Sequence, residues 1–296
     1  MESKRAGSNG DGRARGRKQN LWWEQVKELL TTGEWPARFA ERYGISGEIA
    51  LRREEVFLDQ PLGSAASLRV AFASDFHAGP TTPDRTLDEA ATLLRNAEPD
   101  LLLLGGDFVS HRAHYVHRVA ERLGAVPAPA GRFAVLGNHD YWAEAAPVAR
   151  ELERAGIEVL VNANRRLAHP FEQVTVCGLD DHIAGEPDAD ATFAGASPVR
   201  LLLMHAPSGL LDSGRHPFSV AFAGHTHGGQ IALPNGYAPY VPYGELSRQY
   251  CAGRFDLEAT RVLLVSRGVG CSIVPIRWNA PAEVHLCTLH SGDASS

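Results

Sequence analysis

Seven candidate metal ligands stand out in this sequence by their positions: Asp75, His77, Asp107, Asn138, His205, His225 and His227. Each lies just beyond an apolar, strand-like run. "LRVAFA" (68–73) leads into Ser74-Asp75-Phe76-His77, and "LLLL" (101–104) leads into Gly105-Gly106-Asp107. "RFAVL" (132–136) leads into Gly137-Asn138-His139-Asp140, "RLLLM" (200–204) into His205, and "VAFA" (220–223) into Gly224-His225-Thr226-His227. Ligands of open α/β sheets bind beyond the carboxyl ends of strands, so five such clusters point to one place.

The spacing fits that reading. Asp75/His77 and His225/His227 are i, i+2 pairs, which extended backbone turns to one face. The glycines of "GHTHGGQI" (224–231) let backbone come close to an ion or a phosphate. Glycine at 224, 228 and 229 suggests an open mouth, suited to a diester or pyrophosphate as well as a monoester. Seven ligands exceed what one ion takes, whereas two ions sharing a carboxylate would use them, and Asp107 suits the bridge. Two-metal sites clamp the attacking and leaving oxygens of a phosphoryl group and make an attacking hydroxide available near neutral pH. Nitrogen and oxygen ligands without thiolate fit Mn, Fe, Zn, Co or Ni. A lone histidine or a lone Asp-x-His is ordinarily a surface or core residue; the ordered set is what reads as a dinuclear metal site.

The ordered motifs Asp75-x-His77, Gly106-Asp107, Gly137-Asn138-His139-Asp140, His205 and Gly224-His225-x-His227 resemble those of the calcineurin-like metallophosphoesterases. The resemblance covers residues 68–290 and leaves no ligand position unfilled. It implies an α/β fold, two mixed β-sheets in a sandwich flanked by helices, and a metal-dependent phosphohydrolase. By position, Asp75, His77, Asp107 and His227 resemble the ligands of one ion, and Asp107, Asn138, His205 and His225 those of the other. His139 resembles the family's non-ligand histidine, which contacts the phosphoryl group and protonates the leaving oxygen. Asp140 would orient His139 by a hydrogen bond, or else serve as a loop or helix-cap residue.

"GHTHGGQI", "GLDD" (178–181) and "SRGVG" followed by "PIR" (266–270, 275–277) are similar to a bacterial subgroup of membrane-associated phosphoesterases. Some of its members split the pyrophosphate of UDP-2,3-diacylglucosamine, so a nucleotide-sugar lipid precursor is one expected substrate. Alternatives are a soluble-substrate phosphodiesterase, a protein phosphatase, and a non-catalytic metal-binding scaffold. Arg112, Arg267 and Arg277 are candidate phosphate contacts, because a guanidinium fork suits phosphate. Of the three, Arg267 is retained as the substrate-binding candidate.

These residues need a scaffold. From residue 68 onward apolar runs alternate with helical patterns, and further strands are expected at 174–178, 262–266 and 283–289. Leu87, Ala90, Ala91 and Leu94 mark one helical face, and Val148 and Leu152 another, with Pro147 at a helix start. Near-continuous apolar strands separated by helices indicate buried sheets of the α/β class.

Ahead of this region, residues 1–20 hold six basic and two acidic residues and read as a disordered arm. Residues 21–43 read as a helix with Trp22, Val26, Leu29 and Leu30 near one face, within an N-terminal helical extension taken as 21–63. The phosphoesterase domain is expected at 64–290 and a short tail at 291–296. Residues 1–30 are a candidate for peripheral contact with the inner face of a membrane.

Composition narrows the classes further. The chain has 296 residues, 44% hydrophobic and 22% charged, with a net charge of −6. That balance supports a sizeable core and argues against a nucleic-acid partner, whose domain would be basic. Cys177, Cys251, Cys271 and Cys287 lack CxxC spacing and read as free thiols of a cytoplasmic protein. No apolar run approaches the roughly 20 residues of a membrane span, and neither a signal peptide nor a membrane anchor is expected.

Overall fold

The computed structural model describes residues 35–43, 47–257 and 261–292. Two six-stranded sheets pack face to face, with helices outside. In the first sheet the order is β1 (Ala50–Phe57), β12 (Glu283–His290), β2 (Ser67–Ala73), β3 (Leu101–Leu104), β4 (Gly131–Ala134) and β5 (Glu158–Val159). The second runs β10 (Gly253–Asp256), β11 (Val262–Val265), β9 (Val220–Ala223), β8 (Val199–Leu203), β7 (Val174–Gly178) and β6 (Ala163–Arg166). Strands β2 to β5 are mutually parallel, as are β7, β8, β9 and β11, while β12–β2, β10–β11 and β6–β7 are antiparallel. This is the α/β sandwich of two mixed sheets that the motifs imply.

The apolar runs are nearly continuous because both strand faces are covered. Val70, Phe72, Leu101 and Leu103 point between the sheets and meet Leu201, Leu203, Val220 and Phe222 of the second sheet. The Phe72 and Phe222 rings pack 5.3 Å apart across that layer. Alternate residues face the other way: Ala71, Leu102 and Leu104 pack against α2 (Asp84–Asn96), α3 (His117–Gly124) and α5 (Ala145–Arg154). Helix α2 buries Leu87, Ala90, Ala91 and Leu94, and α5 buries Val148 and Leu152, the two faces expected from their spacing. Pro147 lies in the first turn of α5, where a missing N–H costs nothing because that N–H has no helical partner. Each fully buried leucine of this kind contributes about 1.5–3 kcal/mol.

Four strands escape the sequence reading. β5 and β6 are short, while β1 and β10 lie at sheet edges and carry the charged residues Arg52, Arg53, Glu54, Glu55, Arg254 and Asp256. β1 falls inside the segment 21–63 expected to be helical. Its backbone pairs in parallel with β12 along eight residues, so pairing rather than an apolar pattern makes it a strand. Of the helix expected at 21–43, the described part is α1 (Trp35–Tyr43); Trp22, Val26, Leu29 and Leu30 and the arm 1–20 lie outside the described residues. The four cysteines are free thiols. Among the described residues no helix is long and apolar enough to cross a membrane.

Candidate metal centre

The carboxyl ends of β2, β3, β4, β8 and β9 carry the seven expected side chains, and all seven are buried. The loops that bear them are laced together past the strand ends. His77 N–H donates to the Asp107 carbonyl at 3.0 Å, Gly224 N–H to the His205 carbonyl at 2.7 Å, and His225 N–H to the Asp75 carboxylate at 3.0 Å. Each loop thus sets the height of its neighbour.

Two groups of the expected ligand atoms result, Asp75/His77/His227 and Asp107/His205/His225, each with its atoms within 4.8 Å of one another, and a third such group, His77/Asp107/His139, draws in His139. The Nε2 atoms of His77 and His227 are 3.0 Å apart, and His227 Nε2 is 3.6 Å from Asp75 Oδ1. His205 Nε2 lies 3.3 Å from His225 Nδ1 and 3.1 Å from Asn138 Oδ1. Asp107 reaches a member of each: its Oδ2 is 3.5 Å from His77 Nε2 and 3.4 Å from His205 Nε2. Ligands about 2.0–2.2 Å from a tetrahedral ion sit roughly 3.3–3.6 Å from each other, so these separations match a donor set around a cation.

The ring orientations agree. His205 Nδ1–H donates to the Gly105 carbonyl at 2.7 Å, and His225 Nε2–H to the Tyr243 carbonyl at 2.8 Å. Each bond leaves the other ring nitrogen, with its lone pair, facing the cluster, as carbonyl partners do for metal-ligating histidines. Burial lowers the pKa of His77 and His227 well below the usual imidazole range, and burial with His205 alongside brings His225 to about 3. These three rings are therefore neutral, the form that binds metal. Burial also pushes Asp75 up to about 6. His77 Nδ1 is buried with no hydrogen-bond partner among the described residues. His205 goes the other way: against burial, the Asp107 carboxylate beside it raises its pKa well above the usual imidazole range. Donor atoms converging at ligand spacing around the Asp107 carboxylate fit divalent ions.

The backbone reaches this geometry differently from the extended strand the i, i+2 spacing suggests. Asp75, His77, Asp107, His225 and His227 have φ of 55°, 44°, 53°, 70° and 52°. They are half of the ten left-handed non-glycine residues described. The strands have already ended, at Ala73 and Ala223, and left-handed turns bring both members of each pair to the site. Such backbone costs about 1–3 kcal/mol per residue and persists where the surroundings enforce it. Nor do the flanking glycines open a mouth. A Cβ on Gly224 would stand 2.3 Å from Asp75 Oδ2, and one on Gly229 2.2 Å from Ala238 Cβ, so these glycines allow close packing.

His139 adjoins the cluster. Its backbone N–H donates to Asp107 Oδ1 at 2.8 Å, its ring stands edge-on to His77 at 4.7 Å, and Trp142 packs on its other side at 4.8 Å. Its Nδ1–H donates to the Ser110 carbonyl. Asp140, expected to orient His139, does something else. Its Oδ1 accepts from Phe108 N–H at 2.9 Å and Val109 N–H at 3.2 Å, and its Oδ2 from Gly137 N–H at 2.9 Å. The one-turn helix α4 (Asn138–Trp142) starts at Gly137, so Asp140 is the loop and cap residue that was the alternative reading. A backbone carbonyl has taken the orienting role, and no sequence signal marks it.

None of the three arginines lines the cavity that opens over the cluster. Arg267 is committed to the buried Glu283, with NH1 2.7 Å from Oε2, and Arg112 is exposed at the start of a 3-10 turn. Arg277 lies behind His227: it donates to the carbonyls of Arg267, Gly270 and Ala280, and its NH2 comes within 3.2 Å of His227 Nδ1. A cavity of about 880 Å³ opens over the cluster, with Asp107, Asn138, His139, His225 and His227 on its floor. Among the described residues no lysine or arginine lines it. Its walls are apolar, with Trp142, Ile231, Tyr240, Tyr243, Ile273 and Val274 prominent.

Comparison with known proteins follows the same residues. The profile of the calcineurin-like phosphoesterase family matches residues 68–229. YkuE of Bacillus subtilis (strain 168), described as an uncharacterized metallophosphoesterase, is 32% identical over 217 residues, covering 70% of this chain and 74% of that one. The phosphodiesterase YaeI of Escherichia coli (strain K12) is 31% identical over 235 residues, 76% of this chain and 83% of that one. The UDP-2,3-diacylglucosamine pyrophosphatase LpxG of Chlamydia trachomatis serovar D is 28% identical over 272 residues, 74% of this chain and 82% of that one.

Proposed function

Because this chain belongs to the calcineurin-like phosphoesterase family of metal-dependent phosphoric ester hydrolases, we propose that its buried cluster holds two divalent ions and hydrolyses a phosphodiester or pyrophosphate. The observation that carries this reading is Asp107 Oδ2, within 3.5 Å of His77 Nε2 and 3.4 Å of His205 Nε2. One carboxylate oxygen reaching two donor groups is what a bridged pair of ions requires. In this reading Asp75, His77, Asp107 and His227 hold one ion, and Asp107, Asn138, His205 and His225 the other. Ions bound there would supply positive charge to the phosphoryl oxygens and make a water acidic enough to attack near neutral pH.

The chain's own residues do the rest. The ligand loops, locked to one another by backbone hydrogen bonds, keep the donors in place before substrate arrives, which removes reorganisation from the reaction. His139, with Nδ1–H held by the Ser110 carbonyl, has Nε2 left to face a phosphoryl group and, in the imidazolium form, to give its Nε2 proton to the leaving oxygen. Trp142 and the apolar walls limit water around that transfer. With no lysine or arginine on the cavity wall among the described residues, His139 is the side chain left to meet substrate phosphate, bound cations would supply the positive charge, and Arg267 would contribute only by leaving Glu283.

Two relatives support the substrate range: YaeI is named a phosphodiesterase and LpxG a UDP-2,3-diacylglucosamine pyrophosphatase. The cavity, about 880 Å³ and largely apolar, is of the size that takes a small molecule and suits a nucleotide-sugar lipid precursor better than a phosphoprotein loop. The free thiols suit a reducing, cytoplasmic setting. The catalytic domain in this reading is 64–290 together with β1.

The test pairs metal analysis with turnover. Purified protein, reconstituted separately with Mn, Fe, Zn, Co and Ni, is assayed on an aryl phosphodiester, an aryl phosphomonoester and a UDP-sugar lipid, beside Asp107→Asn. Two equivalents of metal and diester or pyrophosphate turnover, both lost in Asp107→Asn, are expected. An Asp107→Asn protein that keeps both ions would overturn the bridging role. A wild type that holds metal yet turns over none of the three leaves the site a metal-binding scaffold.

A further inference from the structure

Soluble proteins scatter their exposed apolar side chains, but this one does not. Fifteen large hydrophobic residues are exposed among those described, and all but Phe57, Val161 and Leu211 fall on segments 35–43, 231–243 and 273–278. Helix α1 carries Trp35, Phe39 and Tyr43 at i, i+4 and i+8, a single outward stripe, while Ala37 and Ala40 pack inward. The other two segments form the rim of the cavity. There Tyr243 is 74% exposed and Trp278 64%.

The three segments are neighbours in the fold. Ala37 N–H donates to the Pro80 carbonyl at 3.0 Å, and the adjoining Thr81 hydroxyl to the Cys271 carbonyl at 2.7 Å. Cys271 N–H donates to Thr82 Oγ1 at 3.2 Å, and Ser272 N–H to Gln230 Oε1 at 2.9 Å. Trp278 N–H donates to the Gln230 carbonyl at 3.0 Å. From α1 to the rim the segments are therefore tied together by hydrogen bonds, and the cavity opens between the two rims.

We propose that this face, α1 together with the rims at 231–243 and 273–278, docks on an anionic lipid bilayer and sets the mouth of the cavity against the headgroups. Three features select a bilayer as the occupant. Trp and Tyr, with an apolar body and a polar tip, are the side chains that settle at the water–lipid boundary, and six of the twelve rim and helix residues are of these types, at Trp35, Tyr43, Tyr237, Tyr240, Tyr243 and Trp278. The charge is complementary: α1 exposes Arg38 and Arg42, and residues 1–20 upstream hold six basic and two acidic residues. Each basic group near an anionic surface strengthens binding roughly fivefold. Finally, a folded partner covering the rim would close the cavity, whereas a fluid bilayer covers the rim and still brings phosphate-bearing headgroups to the floor. The docking does not need the phosphohydrolase reading; only its consequence, that substrate is drawn from the membrane, rests on it.

The experiment is co-sedimentation of the metal-loaded full chain with phosphatidylcholine vesicles, with and without phosphatidylglycerol. Phe39→Ser and Trp278→Ser are compared with wild type, and turnover of a soluble aryl phosphodiester is followed in parallel. Both side chains are largely exposed and neither lines the cavity, so folding and soluble turnover should hold. Wild type is expected to sediment, more strongly with phosphatidylglycerol, and each variant to bind roughly tenfold more weakly. Failure of wild type to sediment while the diester is hydrolysed overturns the docking and leaves the phosphohydrolase. Vesicle binding without hydrolysis of any ester supports the docking and removes the phosphohydrolase. Unchanged binding in both variants overturns the proposal in favour of charge attraction alone. A dimer in light scattering that either variant dissociates overturns it in favour of a second copy of this chain.

Discussion

His77 and His227, 150 residues apart in sequence, bring their Nε2 atoms to 3.0 Å with both rings buried and neutral. Without an ion the contact is one N–H···N hydrogen bond, whereas with an ion both nitrogens would offer lone pairs to a shared cation. His227→Ala should therefore lower bound metal, measured by mass spectrometry of the dialysed protein, along with activity. Full metal content in His227→Ala would remove it from the ligand set.

His139→Ala separates metal holding from proton transfer. Both ions should remain, while kcat falls about 10²–10⁴-fold, the usual worth of a general acid. His139 also lies within ligand reach of His77 and Asp107. Loss of an ion in this variant would reassign His139 as a ligand.

Asp140→Asn tests the corrected role of Asp140. The carboxylate accepts three backbone N–H groups, and an amide in its place would turn an NH2 toward at least one of them. A loss of about 1–3 kcal/mol in denaturant unfolding is expected, with kcat far less affected than in His139→Ala. A kcat collapse at unchanged stability would return Asp140 to the proton-transfer machinery.

Gly224→Ala tests the close approach of the β9 loop to Asp75. The added carbon would meet Asp75 Oδ2 and Ser74 Oγ, both at 2.3 Å, so the carboxylate must shift. Weaker metal binding and about 1–3 kcal/mol of lost stability are expected. Wild-type metal affinity in a calorimetric titration would show that the loop can move aside freely.

Glu283 sets an acid limit on stability. Burial alone would raise its pKa, but His285 and Arg267 beside it bring it down from 4.5 to about 2. A depressed carboxylate stabilises the fold above its unfolded pKa, and that contribution is lost as pH falls from 4.5 toward 2. The shift corresponds to about 3 kcal/mol. Glu283→Gln should lose roughly this much at neutral pH and show a flatter stability profile through that acid window. An unchanged profile in thermal melts across the window would assign the acid sensitivity elsewhere.

The strands that bear the site were legible because they are buried on both faces, and burial on both faces demands an apolar run. "LLLL" became β3 and "VAFA" became β9 at the expected residues. β1 was not legible: its charged residues face outward at a sheet edge, and only pairing with β12 identifies it.

By itself the sequence determined the residue types and their order: seven candidate donors, each placed where an apolar run stops, which points to metal-ion chemistry. Tertiary structure decided how they meet. Left-handed backbone at Asp75, His77, Asp107, His225 and His227, the carbonyls of Gly105, Ser110 and Tyr243 on the histidine rings, and the pairing of Arg267 with Glu283 all depend on atoms distant in the chain. Residue type records which side chain can bind an ion. Ring tautomer, backbone hand and competition for a guanidinium are set by neighbours that only folding brings within hydrogen-bond distance.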